Sequence, residues 1–195
     1  MTAAPTDPYA DRIIDAAYAL LSRHGLRRTT ISDVVRESGV SRATLFRRFP
    51  SRSDLFSALM SREVTAFLSD LEQRLDEIAD PVDRLVETFV RFCEVAPLNP
   101  VLRRLVESDP DTVLPHLTTN AEPILAFGRQ FMMRELTRLT DFGYRLTASP
   151  EVCTDLITRI SHSYLLLPPA LPELVDHDLA RKLFRATIIR MVIAD

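Results

Sequence analysis

Apolar residues recur along this chain three and four positions apart, and nowhere is there a sustained period-two alternation or a two-residue hairpin signal. The pattern predicts an all-α protein. Asp7 followed by Pro8 starts a first helix, in which Ile13, Ile14, Ala17, Leu20 and Leu21 form one apolar face until Gly25 stops it. Thr30 caps a short second helix ending at Gly39, Ser41 caps a third that runs to about Phe49, and Pro50 with Ser51 opens a longer one over about 52–78. The same cap-then-proline start at Asp80-Pro81, Asn99-Pro100 and Ser149-Pro150 predicts helices near 81–95, 100–107 and 150–166. Residues 122–141 read as one helix ended by Gly143, and a last helix spans about 178–193 after the proline-rich connector 168–172.

The turn between the second and third helices is chemically defined: Glu37-Ser38-Gly39-Val40-Ser41. Gly39 supplies the positive φ of a sharp turn, Val40 plugs the angle between the helices, and Ser41 caps the helix that follows. In that helix Leu45 and Phe49 share one face, while Arg42, Ala43, Phe46 and Arg47 share another. One face packs and the other is free to read DNA. A guanidinium fork matches guanine O6 and N7, so Arg47 is the first candidate for a base reader and Arg42 for a base or a nearby phosphate. Thr44 can contact either, and Ser41 and Arg48 complete the candidate surface on this helix. Thr30, Ser51 and Arg52, at the starts of the flanking helices, are candidates for gripping phosphates without carrying sequence information.

Charge supports this reading once it is resolved along the chain. The formal net charge is −3, yet residues 23–52 hold eight arginines against Asp33 and Glu37. A local excess of this kind is the footprint of a phosphate-binding surface, or more blandly of a solvated face.

The run from Thr30-Ile31 through Gly39-Val40-Ser41-Arg42-Ala43-Thr44-Leu45-Phe46-Arg47-Arg48-Phe49-Pro50-Ser51-Arg52-Ser53-Asp54-Leu55 resembles the signature of the TetR family of transcriptional regulators. The resemblance covers about residues 10–60 and departs from the family pattern in three places. Phe46 stands where a phosphate-bonding tyrosine is usual, Val35 and Ser38 stand where small alanines are common, and Arg52 replaces a lysine. It implies a helix-turn-helix DNA-binding domain over 1–52 and a helical effector-binding and dimerisation domain over 53–195. It also implies a homodimer, a palindromic operator in double-stranded DNA and a small-molecule effector whose binding releases the repressor. An activator or architectural regulator without an inducer is the alternative.

Further along, Phe89, Phe92, Phe127, Phe131, Met132 and Leu136 either line an effector pocket or are simple core, with His162 as a candidate polar anchor. The last two long helices carry Leu156, Ile157, Ile160, Leu183, Ile188 and Met191, on faces that can bury themselves in one chain or pair across a two-fold axis. Enzyme motifs such as GxSxG, HExxH and glycine-rich phosphate loops are missing, so neither catalysis, a cofactor nor a metal is expected. Cys93 and Cys153 lack CxxC spacing, and the longest apolar run, about 164–171, is interrupted by Pro168 and Pro169. A reduced cytoplasmic protein with no membrane span is therefore expected.

Overall fold

The computed structural model describes residues 7–95, 106–167 and 171–194. Among them ten helices are bounded: α1 (Pro8–His24), α2 (Ile31–Ser38), α3 (Arg42–Arg48), α4 (Arg52–Leu75), α5 (Pro81–Val95), α6 (Pro110–Leu117), α7 (Glu122–Asp141), α8 (Pro150–Leu166), α9 (Pro172–Val175) and α10 (His177–Val192). No strand occurs among the described residues; a lone antiparallel bridge joins Leu146 to Ile193. Nor is any described helix long and apolar enough to cross a membrane.

Most boundaries follow the caps. The Asp7 carboxylate accepts from the Tyr9 and Ala10 amides with Pro8 at the first helical position, and Gly25 ends α1 at φ 75°. The Ser149 and Asp176 side chains cap α8 and α10 in the same way. Two outcomes differ from the sequence reading. The helix expected over 100–107 lies largely outside the described residues, of which only 106–108 are helical. And α6 is a helix the apolar spacing did not predict: Asp109-Pro110 opens it like the others, but Pro115 inside it interrupts the pattern.

The chain divides into two compact units, one of Met1–Glu63 with Pro100–Asn120 and one of Val64–Asn99 with Ala121–Asp195. The first unit therefore extends past the expected boundary at residue 52. Leu55, Phe56 and Leu59 of α4 are buried there and share a cavity wall with Ala17 and Leu21 of α1. The second unit is organised around a core of Leu75, Leu85, Phe89, Phe131, Leu136, Leu139 and Ile157, contributed by α4, α5, α7 and α8. Inside it lies a charge pair: Arg84 Nε donates to Glu135 Oε2 at 2.8 Å, with both side chains at most 4% exposed. Arg84 also donates to the Leu75 carbonyl at the end of α4, tying α4, α5 and α7 together.

Candidate nucleic-acid interface and interior cavity

The geometry of the reading head begins at Gly39, which takes the left-handed conformation (φ 65°, ψ 20°) while its amide donates to the Val35 carbonyl. This turn is braced from a distance: Arg12 of α1 donates from Nη2 to the Ser38 carbonyl at 2.6 Å. A β-carbon at position 39 would stand 3.0 Å from that same nitrogen. Beyond the turn, Ser41 Oγ accepts the Thr44 amide at 3.1 Å and starts α3. Leu45 is fully buried and Phe49 nearly so, which fixes the rotation of α3 and leaves Ser41, Arg42, Ala43, Phe46 and Arg47 exposed on the opposite side.

Ion pairing then separates the arginines by role. Arg23 pairs with Glu37 at 2.6 Å and Arg36 with Asp33 at 2.6 Å. Arg48 is drawn back to the start of α1, where it donates to Asp7 at 2.6 Å and lies over the Tyr9 ring. Its side chain is 19% exposed, so it braces α3 against α1 instead of joining the outward face. The hydrogen bond from Arg48, outweighing slight burial, holds the Asp7 carboxyl below its ordinary range. By contrast Arg42 meets only neutral groups: its Nη1 donates to Ser32 Oγ at 3.3 Å, and its guanidinium stands 5.3 Å from the Phe46 ring centroid. Arg47 has no ion pair or hydrogen bond among the described residues, and neither does Arg28. Arg42 and Arg47 on the outer face of α3 and Arg28 beside the start of α2 are thus arginines without an acidic partner among the described residues.

The three flanking candidates are all engaged within the chain. Thr30 and Ser51 each close a capping box, their hydroxyls donating to Asp33 and Asp54 at 2.6 and 2.7 Å. Asp33 is held below the usual carboxylate range, first by the Thr30 hydroxyl and then by the Thr30 amide and Arg36. Arg52, though exposed, donates to the Leu26 carbonyl. What these helix starts present outward is therefore the first-turn amides rather than free hydroxyls.

In the second unit a cavity of about 30 Å³ opens between helices. Leu68 and Leu71 of α4, Phe92 of α5, and Phe131 and Met132 of α7 form its apolar walls. Thr88, Gly128 and Thr158 complete the lining. Of the sequence candidates Phe92, Phe131 and Met132 line it; Phe89 and Leu136 are fully buried core, and Phe127 and His162 stand half-buried without lining it. The polar position falls on Thr158, one turn before His162 on the same helix. Both cysteines are free and buried, and burial pushes the Cys93 thiol up to about 11.

Residues 13–59 match the family described as bacterial regulatory proteins, tetR family, and residues 80–185 match the one described as bacterial tetracyclin repressor, C-terminal domain. The chain belongs to the TetR family. It is a helix-turn-helix DNA-binding transcriptional regulator and not an enzyme. Among curated relatives, the transcriptional regulator AlkX of Mycobacterium tuberculosis is 28% identical over 179 residues, covering 90% of this chain and 81% of that one. Two uncharacterized HTH-type regulators of the same species are 26% identical over 132 residues; that stretch spans 68% of this chain but only 65% of theirs. Among solved structures, the TetR family repressor AlkX from a Dietzia strain, implicated in n-alkane biodegradation, superposes with a TM-score of 0.69 at 22% identity, covering 95% of this chain and 99% of that one. RolR in complex with resorcinol gives a TM-score of 0.67 at 16% identity over 94% of this chain and 87% of that one. At these identities the two structures speak for the fold.

The TetR-family chain also sorts the apolar residues proposed for pairing. Ile157 is fully buried in its own unit, and Ile160 and Ile188 are half-buried and pack against that core. Leu156 and Met191 remain exposed, and Leu183 is half-buried. Val152, one turn before Leu156 on α8, is exposed as well and was not among the candidates. Arg28 was likewise counted only as charge, and Arg12 was not singled out. The partner of Arg12 lies 26 residues away, so nothing local marks its bracing role.

Proposed function

We propose that this regulator is a homodimeric cytoplasmic repressor that binds a palindromic operator through α3 and is released when a small apolar or amphipathic molecule occupies the second unit. The observation that carries the DNA half is the pairing pattern on α3: Leu45 and Phe49 are buried, while Arg42 and Arg47 stand outward without acidic partners among the described residues. In this reading Arg47 takes a guanine edge in the major groove and Arg42 a base or adjacent phosphate, with Ala43, Thr44 and Phe46 alongside. Phe46 brings apolar contact, suited to a thymine methyl or a sugar, in place of a hydroxyl. The amides opening α2 and α4, near Thr30, Ser51 and Arg52, hold phosphates. The exposed residues Val152 and Leu156 of α8, with Met191 of α10, favour pairing of two copies.

The release half rests on the cavity in the second unit and on continuity of α4, whose first turn carries Arg52 and whose last turns carry Leu68 and Leu71. By analogy with RolR, a fold neighbour solved with resorcinol, the effector is taken to be apolar or aromatic. A coupling of about 1–3 kcal/mol between the two sites suffices for regulation. Selection of genomic fragments by the purified protein, followed by salt titration on the enriched site, tests the first half. An enriched palindrome with a steep salt dependence is expected; affinity indifferent to salt and sequence would remove it.

A further inference from the structure

The buried hydroxyls of the second unit are not alike. Thr88, buried on α5, donates to the carbonyl four residues back at 2.9 Å, as the exposed Thr137 and Thr187 do at 2.8 and 2.7 Å. On α8 the pattern breaks: Thr158 Oγ1 and Ser161 Oγ are buried with no hydrogen-bond partner among the described residues. Thr158 is 4% exposed and Ser161 5%. Two such groups one turn apart on a single buried helix face carry a desolvation cost that valine and alanine would not. A local reason is visible for Thr158. Its methyl group faces α7, where a β-carbon on Gly128 would stand only 2.9 Å from Thr158 Cγ2. The glycine gives that methyl room.

Thr158 and Gly128 both line the cavity, alongside Phe92, Phe131 and Met132. No charged side chain lines it among the described residues. The buried charges elsewhere in the unit are already matched, Arg84 by Glu135, and Glu87 by Arg91, His177 and Arg181. A carboxylate or ammonium group would therefore enter without a counter-charge. At about 30 Å³ the space holds about two waters and no organic molecule. It must widen on binding, and the wall best placed to yield is Phe92, half-buried and in edge contact with Phe67 at 5.5 Å.

We infer that the effector of this regulator is an uncharged, mainly apolar molecule of about one ring bearing a hydroxyl or carbonyl group, which enters by displacing Phe92 and satisfies the hydroxyl of Thr158. This rests on the reading of the second unit as an effector-binding unit and names the class of compound it takes. Thr158 is then a specificity-determining residue, with Gly128 setting the space beside it.

The test is calorimetric titration of the whole chain with 4-ethylphenol, ethylbenzene and 4-ethylbenzoate, in the wild type and in Thr158→Val. The phenol is expected to bind about 2- to 10-fold more tightly than the hydrocarbon, as one added buried hydrogen bond requires, and the benzoate at least about 100-fold more weakly. Thr158→Val keeps the shape and removes the hydroxyl. It should erase the gap between phenol and hydrocarbon, and it should raise the melting temperature of the unliganded protein, a change in the direction opposite to a folding defect. Preference for the benzoate, binding of none of the three, or a gap that survives Thr158→Val overturns the inference. Operator release, followed separately, keeps the two readings apart. A charged compound that releases DNA while the phenol fails to bind overturns this class and leaves a ligand-released repressor standing. Phenol binding that leaves DNA affinity unchanged supports the site and removes release.

Discussion

Two arginines of this chain carry the same charge in opposite settings. Arg47 stands on the outer face of α3 with no partner among the described residues, and Arg84 lies in the core of the second unit clamped by Glu135 and by the end of α4. The first is inexpensive for the fold and remains available to another molecule. The second is fully used by the fold, because a buried charge tolerates no vacancy beside it. A count of basic residues treats the two alike; the placement of their acids tells them apart.

The contrast breaks most visibly at the buried pair. Glu135→Ala leaves the buried Arg84 guanidinium with only the more exposed Asp76 carboxylate, 3.6 Å away, and should lower the free energy of unfolding by up to about 3–5 kcal/mol, measured by urea denaturation. Replacing both partners together, as Arg84→Met with Glu135→Leu, should recover most of that loss, since the penalty belongs to the orphaned charge. Arg47→Ala should do the reverse. Operator affinity falls by about 1–3 kcal/mol with relaxed specificity, while unfolding changes by less than about 0.5 kcal/mol. A large stability change in that variant would mean Arg47 is a structural residue. Between these extremes, Ser41→Ala removes the cap of α3 and should cost about 1 kcal/mol in thermal unfolding.

The smallest effect is a pH dependence. Burial pushes the Glu87 carboxyl up, but Arg181 and His177 together outweigh it and hold the group below the ordinary glutamate range. With the folded value below the unfolded one, its stabilisation is present above about pH 4.3 and is lost as the pH falls through the folded value. Unfolding midpoints followed from pH 7 to acid should decline, and Glu87→Gln should make that decline shallower. An unchanged slope would assign the acid sensitivity to other carboxylates, such as Asp7 and Asp155, whose arginine partners also hold them low.

What could be read from sequence was what neighbours in sequence decide. The caps at Asp7, Thr30, Ser41 and Ser149 each act within three residues, and the Gly39 turn within five, so these helix starts and the rotation of α3 were legible before any coordinates. The family resemblance rested on that same stretch. Partners far apart in the chain were not legible. Arg48 reads as one more exposed cation until Asp7, 41 residues away, claims it. The Arg84–Glu135 pair spans 51 residues, and each member falls in a segment that reads as ordinary amphipathic helix. The cavity was half legible for the same reason: aromatic spacing finds apolar faces, but it does not say that Thr88 and Thr158 line the space between them.

The brace from Arg12 to the Ser38 carbonyl bears finally on how the reading head opens. The turn before α3 is held partly by a guanidinium from α1, so it loses a support whenever α1 lifts away. Amide hydrogen exchange should therefore register Gly39 and Leu45, whose N–H groups close the end of α2 and the start of α3, as members of the same cooperative unit as α1. Arg12→Ala should uncouple them, letting the turn exchange faster while the middle of α1 keeps its protection.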